Sequence, residues 1–357
     1  MIIRARYVLP MATPPIENGA VLVRDGQVMA FGPVASITGS AGSEQVLDLG
    51  DVVVAPGLIN AHCHLEYTCL RGEVEWRGSF VEWLTQMVAA KKLHSPREYA
   101  EATARGAEQL LDFGTTTVVN IVAFPRALDE LPGLPLRTIW CLELIDLFQS
   151  KTPQEILADA EGFLDARPHL AGQYGFSPHA PYSASAGLYM LTARAAAARG
   201  VILTTHLAET AEEDDMFRRG TGPMYDYFLR AGRDMSDCKR LGPVQMLAEF
   251  GALGPNCLAV HVNCLTPADV KTIARTGTHV VHCPKSHRFF ARGVPMLSAL
   301  WEQGVNVCLG TDSLASNDTL NMFAEMHAFS LVYPRLPPDQ ILEMATRNPA
   351  RALGLAG

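Results

Sequence analysis

At 357 residues the chain has room for one large domain, or for a large domain with a small companion. Apolar residues make up 48% and charged residues 18%, which excludes a disordered or low-complexity chain. The net charge of −8 argues against a nucleic-acid-binding surface, which would be basic.

In chain order, residues 1–55 read as a small β unit. Short β-type runs at 2–9, 20–23, 28–31, 46–48 and 52–54 are separated by turn signals at Glu17-Asn18-Gly19 and Asp25-Gly26. From there on, β-rich runs alternate with Ala- and Leu-rich helical stretches. The predicted strands are 53–62, 116–121, 138–142, 173–176, 201–205, 258–261, 279–282 and 305–309. Helices are predicted at 96–111, 153–165, 185–199, 267–275 and 295–302, several with proline near the first turn. This alternation implies parallel pairing, and a closed α/β barrel accommodates the strand count. An open doubly wound sheet is the alternative, weakened because no G-x-G-x-x-G follows the first strand.

The 8 cysteines, Cys63, Cys69, Cys141, Cys238, Cys257, Cys264, Cys283 and Cys308, form no C-x-x-C pair and read as reduced core residues of a cytoplasmic protein. The opening MIIRARYVLPM is too short and interrupted for a signal peptide, and no apolar run is long enough to predict a membrane span. A small-molecule substrate is expected, with no nucleic-acid or membrane partner; self-association into a homo-oligomer is left open.

In such barrels the chemistry sits at the C-terminal ends of the strands. His62 and His64 are two apart at the end of the first strand, so both can face one side and share an ion; alternatively they are two histidines of a polar turn. His206 closes the fifth strand as a third ligand or as a core histidine, and Glu209 begins the loop after it. His261 closes the sixth strand. Asp312 follows the eighth strand, where an unpaired buried carboxylate would be costly. A metal or a histidine partner removes that cost; otherwise Asp312 is a helix N-cap, a role for which Asp318 is equally well placed. Three histidines and a carboxylate suit one divalent transition metal, Zn²⁺ first and Fe²⁺ second, rather than Ca²⁺ or Mg²⁺. Such an ion lowers the pKa of water to about 7 and yields hydroxide at neutral pH. Asp312 and His261 are placed to orient that water, and Glu209 to carry a proton to a ring nitrogen and a leaving amine.

The segments P-G-L-I-N-A-H-C-H (56–64), S-P-H-A-P-Y-S (177–183), T-H-L-A-E-T (205–210), H-C-P-K-S-H (282–287) and G-T-D-S-L-A-S-N (310–317), with the strand end at His261, resemble the amidohydrolase superfamily. Within it they resemble the cytosine deaminase-like branch of deaminases and chlorohydrolases. The resemblance implies a (β/α)₈ barrel over 56–357 with a small β-sandwich-like domain over 1–55. It implies that His62, His64, His206 and Asp312 bind one metal, that Glu209 shuttles protons and that His261 contacts the attacking water. His179 resembles a substrate-contacting histidine. Binuclear relatives carry a carboxylated lysine at the fourth strand; no lysine lies between Lys151 and Lys239 here, which favours a single ion.

For substrate, the Ser286-His287 variant resembles aminodeoxyfutalosine deaminases. Phe80-Val81-Glu82-Trp83-Leu84 resembles a segment that packs on the purine in deaminases of S-adenosylhomocysteine and methylthioadenosine. In an ungapped comparison a ribose-binding glutamate of those enzymes falls on Lys92, a departure. Trp83 is an aromatic platform or a core residue. Arg288, Lys285 and Arg71 meet an acidic group of the substrate or are solvated charges. The favoured reading is hydrolytic deamination of a purine-like nucleoside or heterocycle, aminodeoxyfutalosine first. The alternatives are a deaminase of S-adenosylhomocysteine/methylthioadenosine or of other aminopurines or pterins, a triazine-type chlorohydrolase, and an inactive barrel with a structural role. Relatives of this branch continue past N-P-A-R-A-L-G-L (348–355) into strands that complete the small domain, so that domain is expected to be incomplete here.

Overall fold

The computed structural model describes residues 1–40, 44–147, 150–168 and 174–355, and the chain divides into two compact units, Met1–Gly57 and Leu58–Gly357.

In the first unit, β1 (Ile2–Val8), β2 (Ile16–Arg24), β3 (Gln27–Pro33), β4 (Val46–Asp48) and β5 (Val53–Val54) form one sheet in the order β3-β2-β1-β4, with β5 also on β1. The Asp25-Gly26 signal is a hairpin turn, both residues having positive φ (50° and 73°). The Glu17-Asn18-Gly19 signal is overridden: these residues lie inside β2, where Glu17 and Gly19 pair with Tyr7 and Ala5. A helix, Val34–Ser40, for which the run of β-type segments carries no signal, packs Ile37 with Ile2, Ala20 and Leu22.

The second unit is an eight-stranded parallel sheet in sequence order: β6 (Leu58–Cys63), β7 (Thr115–Val122), β8 (Arg137–Leu144), β9 (Tyr174–Pro178), β10 (Ile202–Leu207), β11 (Cys257–His261), β12 (His279–His282) and β13 (Val307–Leu309). The chain beyond β13 returns to β6: Thr311 and Asp312 N–H both donate to the His62 carbonyl at 3.1 Å, and Cys63 bridges Asp312. This closes the barrel. Gly310 is required there, because a Cβ would stand 2.8 Å from the His62 carbonyl oxygen. The predicted first strand is therefore divided, Val53–Val54 joining the small sheet and Leu58–Cys63 the barrel. Gln173 of the predicted fourth strand lies outside the described residues.

Strand alternation sorts the side chains. Ala61, Val119, Ile121, Ile139, Cys141, Leu258, Val260, Val281 and Cys308 form the inner cluster. Their neighbours, such as Trp140, Leu142, Leu203, Ala259, Val280 and Leu309, pack outward against the helices. The helices begin where short polar residues satisfy free backbone N–H groups. Ser95, Thr152 and Thr266 each open a capping box, closed by Glu98, Glu155 and Asp269, with proline following the cap. Among the described residues no helix is long and apolar enough to cross a membrane.

Candidate metal centre and active site

At the C-terminal mouth of the barrel, His62, His64 and His206 converge. His64 Nε2 and His206 Nε2 are 3.3 Å apart, and Asp312 Oδ1 lies 3.6 Å from His62 Nε2 and 3.8 Å from His64 Nε2. Two local devices bring them together. The β6–β7 register slips between Asn60 and Cys63, so that Ala61 faces the inner cluster while His62 and His64 also reach the mouth. On β11, alternation would send His261 outward with Ala259. Instead His261 (φ 72°) and Val262 (φ 50°) are left-handed, and the His261 ring turns in, its centroid 5.4 Å from that of His206. Asp312 (φ 58°) and Ala208 (φ 48°) share this conformation. Each such residue costs about 1–3 kcal/mol, strain that closed packing sustains at functional sites.

The hydrogen bonds set the donor atoms. His206 Nδ1–H donates to the His179 carbonyl at 2.9 Å, which leaves a lone pair on Nε2 towards His64. Asp312 Oδ2 accepts from Ser286 Oγ (2.7 Å) and Ser316 Oγ (2.8 Å), leaving Oδ1 for the histidines. Burial holds the His62 imidazole below, and those of His64 and His261 well below, their ordinary pKa. Burial alone would raise the Asp312 carboxyl. The close approach of His62 and of the surrounding imidazoles outweighs it and holds the group well below the usual carboxylate range.

Glu209 stands beside this cluster, its backbone N–H donating to Glu213 Oε2 at 2.7 Å. Burial pushes the Glu213 carboxyl up to about 8. Arg292 Nη2 donates to Glu209 Oε1 at 2.9 Å, and His261 Nε2 is 3.8 Å from the same oxygen. The Arg292 guanidinium lies 4.3 Å from the Phe290 ring centroid and 5.4 Å from that of Phe80.

A cavity of about 370 Å³ opens above, with His64, His206, Glu209, His261 and Asp312 in its lining. One wall is a helical stripe, Phe80, Trp83, Leu84, Met87 and Val88, continued by Lys91. Ser79 caps this helix, and the Glu212 carboxylate accepts the N–H groups of Phe80 (2.9 Å) and Val81 (3.4 Å). Tyr182, Tyr227 and Phe228 face the stripe's apolar surface across the same cavity, which also takes in His179 and Glu143.

Residues 53–357 match the amidohydrolase family model. The chain belongs to the amidohydrolase family. It is 32% identical to a 5-methylthioadenosine/S-adenosylhomocysteine deaminase of Syntrophobacter fumaroxidans, over 96% of this chain and 76% of the relative. It is 33% identical to an aminodeoxyfutalosine deaminase of Deinococcus radiodurans, over 85% of this chain and 73% of that one. A crystal structure of an adenosine deaminase from Xanthomonas campestris with bound zinc superposes with a TM-score of 0.79 at 26% identity, covering 99% of this chain and 80% of the other.

This amidohydrolase site fits a divalent transition metal. Ligand atoms of His62, His64 and His206 lie within 4.8 Å of one another, as do those of His62, His261 and Asp312. Both ring nitrogens of His62 and Nδ1 of His64 are buried without a hydrogen-bond partner, and coordination through one His62 nitrogen removes part of that cost. Two nitrogens bound tetrahedrally at about 2.0–2.1 Å stand about 3.3 Å apart, which is the His64–His206 spacing.

Of the residues singled out for substrate, His179 and Trp83 line the amidohydrolase cavity, whereas Ser286, His287 and Arg288 do not. Ser286 is committed to Asp312, His287 Nε2 donates to the Gly293 carbonyl at 2.6 Å, and Arg288 is exposed. Lys285 pairs with Asp318, which therefore caps no helix; Asn321 caps Met322–Val332. Lys92 is exposed, and Lys91 lines the cavity in its place. Arg292 and Glu143 carried no signal: Arg292 lies in a loop, and Glu143 reads as the end of an apolar strand.

Proposed function

We propose that this amidohydrolase is a hydrolytic deaminase of an aminopurine nucleoside, working with one divalent ion held by His62, His64, His206 and Asp312. The observation that carries the reading is the placing of these four beside Glu209 on one side of an aromatic-walled cavity. Zn²⁺ is the ion we assign, from the three-nitrogen, one-carboxylate donor set and the zinc in the Xanthomonas relative. When bound, the ion would supply Lewis acidity to a water, lowering its pKa towards neutrality.

The chain's own residues supply the rest. Asp312 and His261 orient the attacking water and draw on its proton. Glu209, the carboxylate that Arg292 pairs with, takes up a proton from the water and carries it to the adjacent ring nitrogen; the water's second proton, drawn off by Asp312 and His261, then passes through Glu209 to the departing amine, which cannot leave as an anion. Arg292 fixes one Glu209 oxygen and thereby aims the other. Trp83 and Phe80 offer the ring an apolar wall and, with Tyr182, Tyr227 and Phe228, keep water from the reacting centre. His179 contacts the substrate from β9. All eight cysteines are free, which suits a reducing compartment such as the cytoplasm.

Within this class we favour aminodeoxyfutalosine, on the Ser286-His287 variant and the Deinococcus relative. The test is ammonia release by zinc-loaded protein from aminodeoxyfutalosine, methylthioadenosine, S-adenosylhomocysteine, other aminopurines and pterins, with chloride release from a chlorotriazine as the competing arm. Highest kcat/KM on aminodeoxyfutalosine is expected. Preference for methylthioadenosine or S-adenosylhomocysteine would move the assignment to that substrate, and ammonia from none would reject deamination.

A further inference from the structure

On β8, Ile139 and Cys141 point into the barrel, and strand alternation carries Glu143 to the same side at the strand's C-terminal end. Its side chain is only 5% exposed, yet it lines the cavity. Among the described residues no side chain or backbone N–H donates a hydrogen bond to it; the nearest basic group is His179 Nε2, 3.9 Å away. That is beyond hydrogen-bond reach. A carboxylate that lines the cavity with no protein donor among the described residues keeps its acceptor capacity for a ligand.

Position decides which donors could arrive. The proton-transfer and metal-binding groups come from β10, β11, the segment after β13, and β6. Glu143 on β8 is separated from them by β9 on one side and β7 on the other. A purine whose amine is held at Glu209 and Asp312 must present another part of itself to Glu143. On a nucleoside the remaining hydrogen-bond donors are the sugar hydroxyls. A cis-diol offers two O–H donors side by side, and the two oxygens of one carboxylate accept them together. The apolar stripe ending at Val88 offers no competing acceptor.

We infer that Glu143 binds the vicinal hydroxyls of the substrate's ribose and so selects ribonucleosides over their deoxy counterparts. This rests on the nucleoside reading above. It makes Glu143 a specificity residue, distinct from a residue that merely steadies His179.

The test measures kcat/KM of the zinc-loaded full chain for adenosine and 5′-deoxyadenosine, and for the 2′-deoxy and 3′-deoxy counterpart of each. These are compared in wild type, Glu143→Gln and Glu143→Ala, with thermal unfolding and metal content checked for each variant. In wild type, loss of either hydroxyl should lower kcat/KM by roughly 10- to 100-fold, the worth of a hydrogen bond to a charged group. In Glu143→Ala the ribonucleosides should fall by a similar factor and the deoxy compounds should lose little more, with Glu143→Gln in between. An equal deoxy penalty in wild type and both folded variants, or no penalty in wild type, overturns the assignment while leaving nucleoside deamination intact. Failure of wild type to deaminate any nucleoside overturns the nucleoside reading itself, and this inference with it.

Discussion

Replacing Arg292 by alanine isolates one contact on which the proposed proton transfer depends. The guanidinium donates to Glu209 Oε1 at 2.9 Å; the two side chains are 12% and 6% exposed, so water replaces the bond poorly. A hydrogen bond to a charged group contributes about 1.5–3 kcal/mol. If that energy serves to hold Glu209 in its reactive position, its loss lowers kcat by roughly 10- to 100-fold, at about 1.4 kcal/mol per decade. KM should change much less, because Arg292 does not line the cavity. Arg292→Lys keeps the charge but loses the planar fork and the stacking on Phe290, so it should recover only part of the rate. The assay is steady-state ammonia release from the best nucleoside found by screening, with metal content measured on the same samples. The alanine variant also strands a buried carboxylate, so a lowered melting temperature is expected. A folded, metal-replete Arg292→Ala protein with kcat within about twofold of wild type would refute the positioning role.

Two further outcomes follow from the same geometry. Glu209→Gln preserves size and should retain the metal, while kcat falls on the order of 10²–10⁴-fold, as for loss of a general acid–base; unchanged turnover would remove Glu209 from the proton path. Glu325 is fully buried, accepting from Lys285 N–H (2.9 Å) and Asn317 Nδ2 (2.6 Å), and burial raises its carboxyl from 4.5 to about 8. The folded state therefore keeps a proton that the unfolded chain releases, so this group's contribution is complete below pH 4.5 and is lost as pH rises towards about 8. Denaturant titrations across that range should show a flatter decline of stability for Glu325→Gln than for wild type; parallel declines would mean that Glu325 is ionised in the fold.

The barrel was legible because each strand is an apolar run punctuated by helix caps of the Ser/Thr-Pro type, and because its polar residues cluster at strand ends. Helix 153–165 and strand 279–282 match Pro153–Asp165 and His279–His282 to the residue. The metal cluster was legible in part: His206 follows simple alternation and H-x-H puts two imidazoles on one side, but with Ala61 facing inward it takes the slip in the β6–β7 register to bring His62 and His64 to the mouth. Longer-range contacts were not. His261 falls on the outward side of β11 by alternation, and only a left-handed backbone brings it in. Arg292 reaches Glu209 across 83 residues of sequence, from a loop whose path nothing local dictates. The basic residues Arg288 and Lys285 were chosen by proximity to a motif, but the short helix Pro284–Phe289 leaves Arg288 exposed and turns Lys285 to Asp318. Asn18-Gly19 reads as a turn, yet pairing with β1 carries the chain straight through it, Asn18 alone keeping a left-handed backbone (φ 47°).

The most direct test is the metal content of purified protein set against ammonia release, before and after treatment with a chelator and after adding zinc back. The expected result is about one transition-metal ion per chain, activity that vanishes and returns with it, and neither ion nor activity in His206→Ala. Chelator-treated protein free of metal that still released ammonia at the untreated rate would contradict the whole account.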